Sequence, residues 1–197
     1  MSRLDATAVD EADSGAAPTA AQARIINTSL GLFATHGVGG TSLQMIADEV
    51  GVTKAAVYFQ YKTKDEIVLA AAEAELGRLR RVVDAAELER SPRRARDALL
   101  AGMVDLAVDR RRTVSTILSD PAIVGFFAEH EAFRDVIHRL RRVLIGDDTR
   151  PEARVRTAML MAAISGAVMH PVVVDLDDEV LRAQLLGLAR RFLGLSR

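Results

Sequence analysis

Residues 41–64 read TSLQMIADEVGVTKAAVYFQYKTK, a run of local signals that writes two short helices, a tight turn and the opening of a third helix. Thr41 followed three residues later by Gln44 has the form of a capping box, so a helix is expected from Ser42. Leu43, Ile46, Ala47 and Val50 recur at helical spacing and give it one apolar stripe. Gly51, lacking Cβ, can take the left-handed conformation that stops a helix. Val52 is expected to pack back, and Thr53 to cap a second helix through Lys54, Ala55, Ala56, Val57 and Tyr58. Two helices so short and so tightly joined must cross steeply, the helix-turn-helix geometry that can present a helix to a DNA major groove. Thr63 and Glu66 form another box, opening a longer helix through Ile67, Ala71, Leu76, Leu79 and Val83.

These residues carry a resemblance. The segment is similar to the DNA-binding domain of the TetR (tetracycline-repressor-like) family of bacterial one-component regulators. In that family an amphipathic first helix ends in Phe and Gly, the places held by Phe33 and Gly37 at the end of residues 25–37. The family hallmark reads Gly-Val-Ser-x-Gly-x-Leu-Tyr, then two variable residues, Phe, and x-Ser-Lys. This chain has Gly51, Val52, Thr53, Lys54, Ala55, Ala56, Val57, Tyr58, Phe59, Gln60, Tyr61, Lys62, Thr63 and Lys64. It departs with Ala55 for the usual Gly, with Gln60 where His or Tyr is frequent, and with Tyr61 for the usual Phe. The resemblance implies a homodimer that binds a palindromic double-stranded DNA operator, usually as a repressor, and answers to a small-molecule effector.

On such a domain the residues at the exposed start and outward face of the second helix, Thr53, Lys54, Ala55 and Phe59, are candidates to read base edges. Lys54 can meet guanine acceptors, and Thr53 or Ala55 a thymine methyl. Thr41, Ser42, Gln44, Tyr58, Lys62 and Lys64 are candidates to hold phosphates through hydroxyls, an amide and charge. Tyr58 and Lys64 are the phosphate contacts the resemblance implies. Phe33, Ile46, Val52 and Val57 are read as core.

Composition agrees. The chain has 197 residues, enough to bury a sizeable core in one or two domains, and Gly and Pro are sparse, which favours an all-α fold. It contains no Cys, which excludes a disulfide framework, a Cys-ligated zinc site and a thiol nucleophile. No long apolar run suggests a membrane span and no signal peptide is apparent, so a cytoplasmic protein without membrane contact is expected. The formal net charge is −1, yet residues 21–64 carry Arg24, Lys54, Lys62 and Lys64 against Asp48 and Glu49, a surplus of two positive charges. That modest surplus suits recognition by geometry as well as charge. Residues 1–18, rich in Ala and small polar residues and acidic except for Arg3, are expected to be a disordered arm. Residues 19–64 are then the DNA-binding domain, and residues 65–197 an effector-binding and dimerisation domain.

From Ser91 the signals are those of a helical bundle. Ser91-Pro92 places a cap and a first-turn proline before a helix carrying Leu99, Met103 and Leu106. Arg110, Arg111 and Arg112 are read as its solvated, dipole-compensating end. Asp120-Pro121 repeats the cap-proline signal before Ile123, Phe126 and Phe127, with a helix boundary expected near His130 or Glu131. Thr149 and Glu152 suggest another box, Pro171 a limit or a kink, and Asp177 the start of a last helix. Nine helices are expected in all.

Two faces of this region are set apart. Ala158, Ala162, Ser165 and Met169, with Leu181, Gln184, Leu188 and Phe192, offer small and apolar surfaces able to meet their copies in a four-helix dimer interface, or else the core of a monomer. Met103, Leu106, Phe126, Phe127, Phe133, Ile137, Met159 and Met169, with His130 as a candidate polar member, combine flexible sulfur and aromatic rings suited to a hydrophobic effector, though plain core uses the same residues. Glu131, Asp135 and His138 share a helical spacing but read as a surface stripe, and His170 is a second candidate hydrogen-bond donor to a ligand. There is no HExxH, no nucleophile elbow and no phosphate-cradling glycine loop, so neither an enzyme, a metal site nor a cofactor is expected. A structural or protein-binding helical bundle is the alternative.

Overall fold

The computed structural model describes residues 18–111 and 131–195. Helix α1 spans Ala20–Gly40 and starts at a capping box: Gln22 N–H donates to Thr19 Oγ1 at 3.3 Å, and Thr19 N–H to Gln22 Oε1 at 2.9 Å. Gly37, at φ 72°, breaks it before a last turn. Helix α2 spans Leu43–Val50 and α3 spans Lys54–Gln60.

The cap of α2 is Ser42, whose Oγ accepts from Met45 N–H at 3.1 Å, and not Thr41. Thr41 instead points inward, 2% exposed, and its hydroxyl donates to the Gly37 carbonyl at 2.9 Å. Gln44 does not reach back either; its amide donates to Asp48 at 2.7 Å. The other end of α2 behaves as expected. Gly51 sits at φ 77°, its N–H bonds to Asp48 O, and Val52 N–H bonds to Ala47 O at 2.9 Å, the paired bonds of a Schellman stop. Val52 itself remains 36% exposed, so it is a turn residue and not core.

Helix α4, Lys64–Glu87, is about 36 Å long at 1.5 Å per residue and forms the spine. Thr63 caps it by accepting from Glu66 N–H at 3.1 Å, while Glu66 accepts from Lys62 N–H rather than from the cap. Helix α5, Pro92–Asp109, has Ser91 as N-cap and Pro92 in its first turn. Helix α6 covers Glu131–Ile145, α7 Pro151–Ala167 and α8 Asp178–Phe192, with a 3-10 turn at Pro171–Val173. The described residues therefore hold eight α-helices; the helix expected after Asp120-Pro121 lies in residues 112–130, outside them.

Three local expectations change here. Arg150 is the N-cap of α7 with no side-chain capping bond, its guanidinium bonding Asp148 instead, and Thr149 is not the cap, because Pro151 with its fixed φ already occupies the first helical position. Arg110 is not a solvated terminus: its guanidinium grips Glu75 of α4 at 2.7 Å, and Arg111 pairs with Asp178 at 3.2 Å. His170 is exposed, and its Nδ1 accepts from Val172 N–H at 3.3 Å, capping the 3-10 turn instead of entering a cavity.

The core is one contiguous apolar cluster. Ile26, Leu30, Phe33, Ile46, Val57 and Ile67 join α1–α3 to α4; Val83, Leu99, Leu100, Val104, Val136 and Leu140 continue it through α5 and α6. Leu160, Ile164, Leu181 and Leu185 complete it from α7 and α8. α4 packs on α1, α5 and α6, and α5 also on α8. A small three-helix head is thereby fixed to a larger bundle by a shared spine.

Candidate nucleic-acid interface

Val57 anchors α3: it is fully buried, while Lys54, Ala55, Tyr58 and Phe59 all face solvent. Positions 54, 55, 58 and 59 fall on one side of a 3.6-residue helix, so four side chains share one outward surface. Tyr58 is 52% exposed and Phe59 77% exposed, an uncovered aromatic pair on an otherwise polar head. Such a contiguous exposed pair is the informative kind of surface apolar group, since leaving it wet forgoes burial. Thr53 supports this face from the helix start, accepting Ala56 N–H at 3.2 Å.

Lys62 follows α3 and folds back on it. Its Nζ donates to the Tyr58 carbonyl at 2.9 Å and stands 4.7 Å from the Tyr58 ring centroid and 5.9 Å from that of Phe59. The cation therefore sits on the aromatic pair and adds positive potential beside it. Behind, Arg24 of α1 donates to the carbonyl of Val50 at 3.0 Å and holds the end of α2. No sequence signal pointed to that tie, because it joins residues 26 apart.

Of the phosphate candidates, Ser42, Gln44, Tyr58 and Lys62 are exposed. Thr41 is buried with its hydroxyl committed, so it is withdrawn from that set. Lys64 is half-buried, and its ammonium is directed at the Val38 carbonyl, 2.6 Å away, and at Gly39 O, 3.3 Å away. Its main bonds are thus to the protein.

The bundle separates the pocket candidates. Met103 is buried, Leu106, Phe133 and Ile137 are half-buried, and Phe126, Phe127 and His130 lie outside the described residues. Met159 on α7 and Met169 just after it face solvent at 56% and 38% exposure, turned away from the interior. Ile137 lines a groove of about 440 Å³ between α6 and α7 together with Ala158 and Met161, and not the space around Met103. Among the interface candidates, Ala158, Ala162, Gln184, Leu188 and Phe192 are exposed and Ser165 partly so. Leu181 is only 2% exposed, a core residue of its own chain. Met169, already an interface candidate, is exposed with them, and Met159 joins that face.

Glu131, Asp135 and His138 are all exposed, and no group of three metal-ligating side chains converges among the described residues. No helix of the described residues is long and apolar enough to cross a membrane.

A braced three-helix head that exposes one face of its third helix, carried on an all-helical bundle, has the helix-turn-helix arrangement. The family model described as "Bacterial regulatory proteins, tetR family" matches residues 25–71, so that stretch is similar to the family. An uncharacterized HTH-type transcriptional regulator, YerO, of Bacillus subtilis (strain 168) is 44% identical over 54 residues, which are 27% of this chain and 19% of that protein. The chain therefore matches about a fifth of that relative's length. The TetR family transcriptional regulator PfmR from Thermus thermophilus superposes with a TM-score of 0.67 at 22% identity, over 88% of this chain and 100% of that one. A TetR-like transcriptional regulator from a Rhodococcus species gives 0.69 at 20% identity, over 92% and 100%. At such identities the two structures are similar in fold.

Proposed function

We propose that the protein is a ligand-responsive transcription regulator that binds a palindromic operator as a homodimer and represses until a hydrophobic small molecule releases it. The observation that carries this reading is the exposed Lys54, Ala55, Tyr58 and Phe59 face of α3, held rigid by buried Val57 and left open to solvent. Thr53, Lys54, Ala55 and Phe59 read base edges in the major groove. Ser42, Gln44, Tyr58 and Lys62 hold phosphates on either side, and Lys64 serves by fixing the head. Residues 19–64 act as the reading head, with residues 65–197 taking the effector and the second subunit.

The exposed face of α7 and α8, with Ala158, Met159, Ala162, Leu188 and Phe192 and with Met169 just beyond α7, supplies the dimer contact. Two heads on a twofold axis address two half-sites, which a single seven-residue helix needs for adequate specificity. Met103, Leu106 and Phe133 remain as lining for an effector whose differential affinity for two arrangements of α4 sets the separation of the heads. Such work places the protein in the cytoplasm. The test is selection of random double-stranded DNA by the purified protein. Recovery of one inverted repeat, bound less tightly after Lys54→Ala, supports the reading; absence of any enriched sequence leaves the protein-binding bundle instead.

A further inference from the structure

Between the first turns of α1 and the middle of α4, beside the end of α5, lies a cleft of about 560 Å³. That volume is in the range of small-molecule sites. Its walls are mixed: Ile26, Ala70 and Leu76 give an apolar floor, while Arg78, Arg80, Arg81 and Arg110 stand against Glu73 and Glu75. None of the effector candidates Met103, Leu106, Phe133 or Ile137 lines it.

Glu75 shows what the cleft lacks. Its Oε1 accepts from Arg78 at 2.8 Å and from Arg110 Nη2 at 2.7 Å, but its Oε2 is buried and has no hydrogen-bond partner. A buried acceptor left unpaired is costly, so a bound N–H or O–H would be stabilising there. Arg80 and Arg81, both exposed, are in no ion pair among the described residues. With Glu75 already shared by two guanidiniums, these two leave the cleft with surplus positive charge.

We propose that this cleft is a second small-molecule site, at the junction of head and bundle, for an amphipathic anion that also carries a hydrogen-bond donor. The anionic group meets Arg80 and Arg81, the apolar body lies on Ile26 and Leu76, and a turn of the Glu75 carboxylate toward the cleft brings its covered Oε2 to the donor. Because α1 and α4 both line the cleft, an occupant bridges the head to its spine. The site is separate from the effector cavity of the proposed regulator, and its test uses no DNA, so either idea can fail alone.

The probe is 2-anilinonaphthalene-6-sulfonate, which holds an N–H and a sulfonate at opposite sides of an apolar ring, titrated by fluorescence into the full chain. Saturable binding is expected, weakened at least tenfold in Arg80→Ala/Arg81→Ala, whose exposed positions keep the fold intact by circular dichroism. The ether analogue, with oxygen in place of the N–H, is expected to bind at least fivefold more weakly to the wild type. Absence of saturable binding, equal affinity for the double variant, or equal affinity for the two dyes would each overturn the site.

Discussion

The Lys64 ammonium at the start of α4 donates to the Val38 carbonyl near the end of α1 at 2.6 Å. A second bond, 3.3 Å long, goes to Gly39 O. The pair ties the spine to the last turn of α1, where carbonyls have no helical partner and carry partial negative charge. A charge-assisted bond of this kind, half shielded from water, is worth about 1–2 kcal/mol. Lys64→Ala is therefore expected to lower the melting temperature by a few degrees, with Lys64→Arg losing less, and to weaken operator binding only as the head loosens. An unchanged thermal transition in Lys64→Ala would remove the staple from the account.

Tyr58 makes the opposite prediction. Its ring is half exposed and its hydroxyl is left to solvent. Tyr58→Phe keeps the ring under Lys62 and leaves the melting temperature unchanged. It removes one phosphate hydrogen bond, worth about 1 kcal/mol, so affinity for a selected operator falls about fivefold. Wild-type affinity in a fluorescence titration would take Tyr58 out of the interface.

Much of the head was legible because its signals are local. Thr53, Thr63, Ser91 and Gly51 act within four residues of themselves, and each lies where its neighbours implied. Thr41 and Ser42 were confused because both can cap, and only burial of Thr41 against Gly37 decides between them. Leu181 and Leu188 stand seven residues apart on one helix stripe, yet one enters its own core and the other faces out. Periodicity finds a stripe but not which neighbour covers each part of it. The ties of Lys64, Arg24 and Arg110 join distant segments and leave no trace in local pattern.

Gly102 on α5 lets α4 approach. A Cβ built there would stand 2.6 Å from Val82 Cγ1 and 3.2 Å from Cγ2, and Val82 is itself packed against the core. Gly102→Ala is expected to destabilise by about 1–3 kcal/mol despite the better helix propensity of Ala. Val82→Ala should recover most of that loss, giving a non-additive double-mutant cycle in urea denaturation. Simple additivity would mean that the two residues do not compete for the same space.

Asp97 of α5 and Arg190 of α8 form a two-bond fork, Nε to Oδ1 at 2.6 Å and Nη2 to Oδ2 at 2.8 Å. The hydrogen bonds from Arg190 hold the Asp97 carboxyl below its usual value, with the charges of Arg190 and Arg93 adding to them and partial burial opposing. Because the folded value is depressed, the stabilisation is fully present above the unfolded value of 3.8 and is lost as pH falls through the folded one. Both side chains are about two-fifths exposed, so the pair contributes only about 0.2–1 kcal/mol and less in high salt. The stability gap between wild type and Asp97→Asn should be measurable at pH 7 and close as the pH falls below 3.8 and through the depressed folded value. A gap that persists unchanged into acid would assign it to packing and not to charge.

Leu188 on α8 is 54% exposed and Met159 on α7 is 56% exposed, within the surface assigned to the second subunit. A charge at either place costs the isolated chain little, because both positions are wet there, but in a dimer it must be stripped of water opposite an apolar face. Loss of the apolar contact alone is worth about 1.5–3 kcal/mol per side chain and the buried charge adds to it. A twofold axis counts each change twice, so Leu188→Glu should weaken association more than about a hundredfold. Sedimentation velocity at micromolar concentration is expected to give a dimer for the wild type and a folded monomer for Leu188→Glu and Met159→Glu. Leu181→Ala is the control: it empties a buried position and should cost about 2–5 kcal/mol of stability, while at temperatures where it remains folded it still sediments as a dimer. A dimer that survives both glutamates would move the interface to another face of the bundle.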